Sequence, residues 1–315
     1  NWWWRCNNTI VRRHDTRRSI GKFYNKKRMT MQLPTEYMKA LLQRCVEEDG
    51  GLHGDLTSNS AIAMDDTGSY ALHVRNHGTV AGLQPIAEAI HVFEGIDLTV
   101  LRGDGEEVHD EQIAVLTGNT RSMLLAERPM LNILGHASGV ATETRKFVRE
   151  VAGTQCSICD TRKTTPGLRL LDKYAVKCGG GTSHRMGLHD AALYKDNHLI
   201  ALTSLQSDLA SAIAEVRKVP DLQFVEVEVD TLEQLTQVLE VDVDIVLLDN
   251  MSNEQLEQAI AIRDAANKKV LLEASGGVDL NTVRGIAETG VDRISVGAIT
   301  HQANWLDVGL DSIDG

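Results

Sequence analysis

The chain has 315 residues, 42 % of them hydrophobic and 24 % charged, which is enough apolar material for one large core or two smaller ones. Its formal net charge of −12 argues against a globally basic nucleic-acid binder, and no apolar run approaches the roughly 18 residues of a membrane span. Five sparse cysteines (Cys6, Cys45, Cys156, Cys159 and Cys178) make no secreted disulfide framework and fit a reducing cytoplasm.

Residues 1–30 differ from the rest: they hold nine Lys/Arg and one acid, leaving 23 basic and 43 acidic residues elsewhere. They lack the apolar stretch of a secretory signal. The expectation is a disordered or non-native leader, with Met29 or Met31 as the natural start and an organellar transit peptide as the alternative. From Pro34 to Cys45 the apolar spacing predicts a helix, with Thr35 as a possible N-cap. GLHGDLTSNS then reads as a turn-rich loop. Residues 67–117 alternate short β-like runs with one helical stretch, PIAEAIHVF, which predicts a mixed α/β domain with an antiparallel sheet. Ser122 to Glu150 reads as helical, in one piece or two, with Met123 and Met130 in the core.

Beyond residue 150 the rhythm becomes strand then helix. QCSICDTR, AALYKDNHL, FVEVEVD, DIVLLDNM, KVLLEASGG and DRISVGAIT are apolar runs suited to buried parallel strands. Helical stretches separate the later ones, so the expectation is a βα barrel or an incomplete one. Each run ends in a polar or glycine-rich cluster: Asp160 to Lys163, Lys195 to His198, Glu226 and Glu228, Asp249 and Asn250, Ser275 to Gly277, Gly297 and Ala298. Independent loops have no packing reason to gather polar groups at the same end of every strand. That end is the active-site rim of a barrel.

The clusters have a chemistry. Arg162, Lys163, His184, Arg185 and Lys195 concentrate positive charge on an acidic protein and call for a small, strongly anionic ligand. Arginine suits carboxylates and phosphates because its planar fork meets two oxygens at once. Glu228 and Asp249, at the ends of successive strands, supply hard oxygen atoms for Mg²⁺ or for ribose hydroxyls. Ser275, Gly276 and Gly297 sit where glycine backbone and a hydroxyl can cradle a phosphate. The run Gly179, Gly180, Gly181 reads as a flexible loop that aims His184 and Arg185. Cys156 and Cys159 form a CxxC inside a strand, where the thiols diverge and packing is the better reading. His53, His73, His77, His91 and His109 form no metal-ligand grouping.

Glu127-Arg128-Pro129-Met130-Leu131-Asn132 and Gly135 to Thr142, followed in order by DTRKTTPGLR, GGGTSHRMGLHDAALYKDNH, VEVEVD, LLDN and EASGG, resemble the quinolinate phosphoribosyltransferase family. The resemblance covers roughly residues 33–308. It implies an N-terminal α/β sandwich (residues 31–138, joined by 303–315) and an incomplete, seven-stranded α/β barrel (139–302). It implies a Mg²⁺-dependent transfer of phosphoribosyl from phosphoribosyl pyrophosphate to quinolinate with loss of CO₂. The product is nicotinate mononucleotide, in NAD biosynthesis.

The resemblance further implies a homodimer in which Arg128 reaches the partner's site, with a hexamer as the larger alternative, and no nucleic-acid or membrane partner. Arg162, His184, Arg185 and Lys195 would bind quinolinate carboxylates, and Lys163 and Lys195 would meet pyrophosphate. Glu228 and Asp249 would hold ribose and Mg²⁺. Ser275, Gly276 and Gly297 would take the 5′-phosphate, with His301 on the same rim. Lys163, Lys195, Glu228 and Asp249 are the catalytic candidates. The rivals are a nicotinate phosphoribosyltransferase, a Schiff-base aldolase using Lys195, a nucleic-acid binder built on the leader, and a related-fold protein serving metal uptake.

Overall fold

A computed structural model describes residues 32–201 and 207–313. The expected leader, residues 1–30, lies outside the described residues. The first helix, α1 (Thr35–Gly50), buries Met38, Leu41 and Leu42, the spacing of one helical face. Its N-cap position is Pro34, not Thr35, whose hydroxyl instead donates to Glu88 Oε2 at 3.0 Å. The segment read as a loop contains a short helix, α2 (Leu56–Ala61). Asp55 caps it by accepting hydrogen bonds from the Thr57 and Ser58 amides.

Four strands then form one antiparallel sheet: β1 (Thr67–Thr79), β2 (Ile96–Val100), β3 (Glu107–Asn119) and β10 (Val308–Ser312), in the order β10-β1-β3-β2. Helix α3 (Leu83–Ala89) lies between β1 and β2 in sequence and packs on α1. The last strand is thus paired with the first, Leu72 opposite Leu310.

Helix α4 (Thr120–Glu150) is a single piece that runs through Pro129, correcting the two-piece alternative. Asn119 caps it through the Ser122 amide at 3.0 Å. Proline leaves one carbonyl without its intrahelical donor, and the helix stays continuous because it is held along its length. It packs against β1, β3 and β10 and also against β4 and α5 of the second sheet, introduced below. Met123 and Met130 are fully buried. Gly135 and Gly139 let residues 304–306 cross close to the helix; a Cβ at Gly139 would lie 2.2 Å from the Asn304 carbonyl oxygen.

The second sheet is parallel. Its strands are β4 (Ser157–Cys159), β5 (Ala192–Tyr194), β6 (Val225–Val229), β7 (Ile245–Asp249), β8 (Leu271–Ser275) and β9 (Arg293–Ser295). Their order is β4-β9-β8-β7-β6-β5, a run of sequential neighbours closed by β4 beside β9, which is barrel winding. A parallel bridge from Cys159 to Thr182 adds a seventh stave beyond β4. Described helices follow the strands: α5 (Arg169–Cys178), α6 (Asp196–Leu199), α7 (Ser207–Val216), α8 (Leu232–Val238), α9 (Asn253–Ala265), α10 (Val283–Glu288) and α11 (Ala298–His301). Thr231 with Gln234, and Ser252 with Gln255, make capping boxes that start α8 and α9 directly after their strands. The architecture is an α/β sandwich joined to an incomplete α/β barrel.

The glycine run at 179–181 is not a flexible pointer. A Cβ at Gly179 would lie 2.5 Å from both the Ala141 carbonyl oxygen and Thr144 Cβ, and one at Gly181 would lie 2.7 Å from Val176 Cγ1. Here the chain presses against α4, and only glycine fits.

Candidate active site

A cavity of about 750 Å³ opens at the carboxyl ends of the parallel strands. Of the twelve residues given site roles from the sequence, eleven line it: Arg162, Lys163, His184, Arg185, Lys195, Glu228, Asp249, Ser275, Gly276, Gly297 and His301. Arg128 does not. It sits on α4, largely exposed, with Glu127 at 3.7 Å. There it borders a second concavity of about 350 Å³ with Asp49, Asp55, Leu124 and Leu125.

One wall is cationic. Arg162 and Lys163 follow β4, and Thr161 Oγ1 accepts from the Lys163 amide at 3.0 Å, turning the chain there. The Lys163 carbonyl accepts from Thr300 Oγ1 at 2.7 Å, which ties this turn to α11. Arg185 is buried; burial first, and then the neighbouring Arg162 guanidinium, hold it below its ordinary pKa. Like charges brought together in this way define a place for an anion.

The opposite side carries the acids and the glycines. Glu228 accepts a close hydrogen bond from the Lys195 ammonium, joining β6 to β5. Asp249 Oδ2 accepts from Asn250 Nδ2 at 2.7 Å, and the Asn250 amide donates to the Ser275 carbonyl at 2.9 Å. Asn250, Gly276 and Gly277 all have positive φ, with Gly276 at 100°. A Cβ there would lie 2.1 Å from Asn250 Oδ1. The loop after β8 therefore depends on glycine to leave its backbone open to a ligand.

Beneath the cavity lies a layer of buried charge. Glu226 and Glu273 are fully buried, and His184 Nε2 lies 2.9 Å from Glu226 and 3.4 Å from Glu273. Burial alone would depress the His184 pKa, but the two carboxylates override it and push it up to about 9. The Arg185 amide, 2.8 Å from Nδ1, favours the neutral ring; in either state Nε2 carries a proton toward the acids. Burial pushes the Glu226 carboxyl up; at Glu273, His184 and Arg293 outweigh burial and the shift is downward. The spacing of His184, Glu226 and Glu273 resembles that of metal ligands. Arg293 Nε at 3.0 Å from Glu273 already supplies the cation, so the cluster balances its own charge.

A second buried pair, Lys173 and Asp160, is in close contact beside this layer. Sequence reading did not single out Lys173, Glu273 or Arg293, and placed Asp160 and Glu226 on the rim. Strand alternation held the missing signal. Glu226 and Arg293 stand two residues before the lining residues Glu228 and Ser295, hence on the same face and one layer deeper, while Glu273, two residues before Ser275, reaches the cavity floor itself. Cys156 and Cys159 are free, with burial raising both thiols to about 12, and Cys159 Sγ accepts from Arg293 Nε at 3.3 Å. They are packing residues with no thiolate character.

The family profile described as the quinolinate phosphoribosyl transferase C-terminal domain matches residues 140–311, and that of the N-terminal domain matches 55–138. The chain belongs to the quinolinate phosphoribosyltransferase family. A relative from Mycobacterium leprae, named nicotinate-nucleotide pyrophosphorylase [carboxylating], is 39 % identical over 86 % of this chain and 95 % of its own. A chloroplastic protein of the same name from Arabidopsis thaliana is 38 % identical over 88 % of this chain and 83 % of its own. The solved nicotinate-nucleotide pyrophosphorylase of Francisella tularensis superposes with a TM-score of 0.83 at 38 % identity, covering 91 % of this chain and all of that one. Membership of the quinolinate phosphoribosyltransferase family sets aside the aldolase reading, while the nucleic-acid reading falls on residues 1–30, outside the described residues. Among the described residues no helix is long and apolar enough to cross a membrane.

Proposed function

We infer that this cavity transfers the phosphoribosyl group of phosphoribosyl pyrophosphate to quinolinate with loss of CO₂, giving nicotinate mononucleotide and pyrophosphate. Family membership carries the reaction. The observation that carries the division of labour is one cavity with a cationic wall on β4 and the 182–185 segment, facing acids and a glycine cradle on β6 to β9.

Quinolinate presents two adjacent carboxylates, and Arg162 and Arg185 provide two guanidinium forks to receive them. His184 backs this wall, its ring nitrogens being engaged by Glu226, Glu273 and the Arg185 amide. Ser275, Gly276 and Gly297 receive the 5′-phosphate, and Glu228 and Asp249 the ribose hydroxyls. Lys163 and Lys195 face the departing pyrophosphate, and His301 completes the rim.

The C1–O bond to pyrophosphate breaks and C1 gains oxocarbenium character before the pyridine nitrogen attacks. The cationic nitrogen then stabilises the electron pair left at C2 as the 2-carboxylate departs as CO₂, and a proton takes that place. Positioning and charge neutralisation account for the catalysis. The two carboxylates Glu228 and Asp249, hard oxygen donors on neighbouring strands that share the cavity, fit a Mg²⁺ held mainly by substrate oxygens and water. Bound there, Mg²⁺ supplies further neutralisation of the pyrophosphate.

The exposed Arg128 on α4, away from its own chain's cavity, supports a homodimer in which it reaches the partner's site; a hexamer is the larger form to test for. Free Cys45, Cys156, Cys159 and Cys178 support a reducing compartment, and we place the protein in the cytoplasm. The deciding experiment supplies phosphoribosyl pyrophosphate with quinolinate or with nicotinate and measures pyrophosphate and CO₂ released, with and without Mg²⁺. Stoichiometric release from quinolinate alone, dependent on Mg²⁺, is expected. Turnover of nicotinate but not quinolinate would overturn the cationic-wall assignment.

A further inference from the structure

Arg162 and Arg185 stand together although their charges repel, and neither arginine fixes its own backbone. Asp160 and Lys173 are both fully buried and lie outside the cavity lining. Lys173 donates to Asp160 Oδ1 and also to the His184 carbonyl, at 3.2 Å. Asp160 Oδ1 accepts from the His184 amide at 2.9 Å. The peptide groups on both sides of His184 are therefore gripped, one by each member of the pair. Asp160 itself stands two residues before Arg162, and its amide donates to the Thr182 carbonyl at 3.1 Å. Arg169, one turn earlier on α5, repeats the arrangement: Nε donates to Thr164 Oγ1 at 3.1 Å and Nη1 to the Met186 carbonyl at 3.2 Å. Helix α5 thus holds the segment after Arg162 and the segment after Arg185 at a fixed separation.

A buried ion pair is a poor source of stability, because desolvation offsets most of the attraction and an apolar replacement is often neutral. Its geometry is what it adds here. We propose that Asp160 and Lys173 are positioning residues for quinolinate recognition: a two-point clamp on the His184 backbone that sets the spacing of the Arg162 and Arg185 forks. The proposal rests on the assignment of those two arginines to the quinolinate carboxylates.

The test compares Lys173→Met, Lys173→Gln and Arg185→Ala by KM for each substrate, kcat and Tm. Misplacing a recognition group by about 1 Å costs up to about 10²-fold, so Lys173→Met should raise the quinolinate KM about 10- to 100-fold. The phosphoribosyl pyrophosphate KM should change much less than the quinolinate KM, because among the described residues the Asp160 and Lys173 side chains bond to each other and to the His184 backbone and not to Glu228, Asp249, Ser275 or Gly276. Lys173→Gln keeps a donor for the His184 carbonyl and should show a smaller rise. If Lys173→Met does not fold, Lys173→Gln decides alone, and an unchanged quinolinate KM overturns the clamp. Equal rises in both KM values, or a fall in kcat with both KM values unchanged, would also overturn it. Arg185→Ala separates the two layers of inference. If it raises the quinolinate KM while the Lys173 variants do not, the clamp fails and the arginine assignment stands. If it leaves that KM unchanged, the arginine assignment itself is wrong.

Discussion

The Lys195 ammonium, just past the end of β5, donates to the Glu228 carboxylate on β6, so one of the cavity's cations is held by one of its acids. A lysine stem is flexible, and the partner fixes where its charge sits. Glu228→Gln keeps the shape, removes the charge and leaves Lys195 unneutralised. We expect kcat to fall on the order of 10²-fold, with pre-steady-state chemistry slowed equally. A variant with unchanged kcat would show that the pair is a resting contact only.

The two halves of the cavity should separate in binding experiments. Arg162→Ala and Arg185→Ala should weaken quinolinate binding by on the order of 2–5 kcal/mol, since each leaves a carboxylate without its fork. Asp249→Ala should weaken the phosphoribosyl side and spare quinolinate. Calorimetric titration of each substrate into each variant checks this. Equal loss of both substrates in every variant contradicts the division.

Gly276→Ala places a methyl group 2.1 Å from Asn250 Oδ1 at a φ of 100°. Backbone strain of this kind costs about 1–3 kcal/mol, and the clash lifts the loop from its phosphate-facing position. The KM for phosphoribosyl pyrophosphate should rise while the quinolinate KM holds. Gly297→Ala meets only the Lys163 and His301 side chains, at 3.0 and 3.2 Å, and should be milder.

His184 makes stability depend on pH. Its folded pKa is raised to about 9 from an ordinary 6.5, so the added stability is fully present below pH 6.5. It is lost as pH rises through about 9, and amounts to at most about 3 kcal/mol. Urea unfolding between pH 6 and pH 10 should show this decline, and His184→Gln should flatten it. An identical profile for the variant would mean that the Arg185 amide keeps the ring neutral throughout.

The rim of the barrel was legible in the sequence because alternation of strand and helix places every strand's end on one side, so Lys195, Glu228, Asp249 and Ser275 fell together without any distance being known. The layer below was not read, since Glu273 and Arg293 sit inside apolar runs and look like isolated exceptions until strand pairing brings them opposite each other. Lys173 was harder still. It belongs to a helix with three other charged residues, Arg169, Asp172 and Lys177, and nothing local reveals that its ammonium turns inward to Asp160. Thr35 was misread for a smaller reason: its hydroxyl can cap a helix or donate elsewhere, and which it does depends on the neighbour that tertiary packing supplies, here Glu88.

The pairing of β10 with β1 has a consequence for biosynthesis. Residues 67–119 leave the ribosome with β1 as an open edge, and the strand that covers it, Val308–Ser312, emerges only after the whole barrel has been made. At 5–20 residues per second that delay is on the order of ten seconds or more. Throughout it, an unpaired strand is available to any neighbouring nascent chain. The barrel must therefore fold beside an unfinished sheet, and the final residues act as its closing strand.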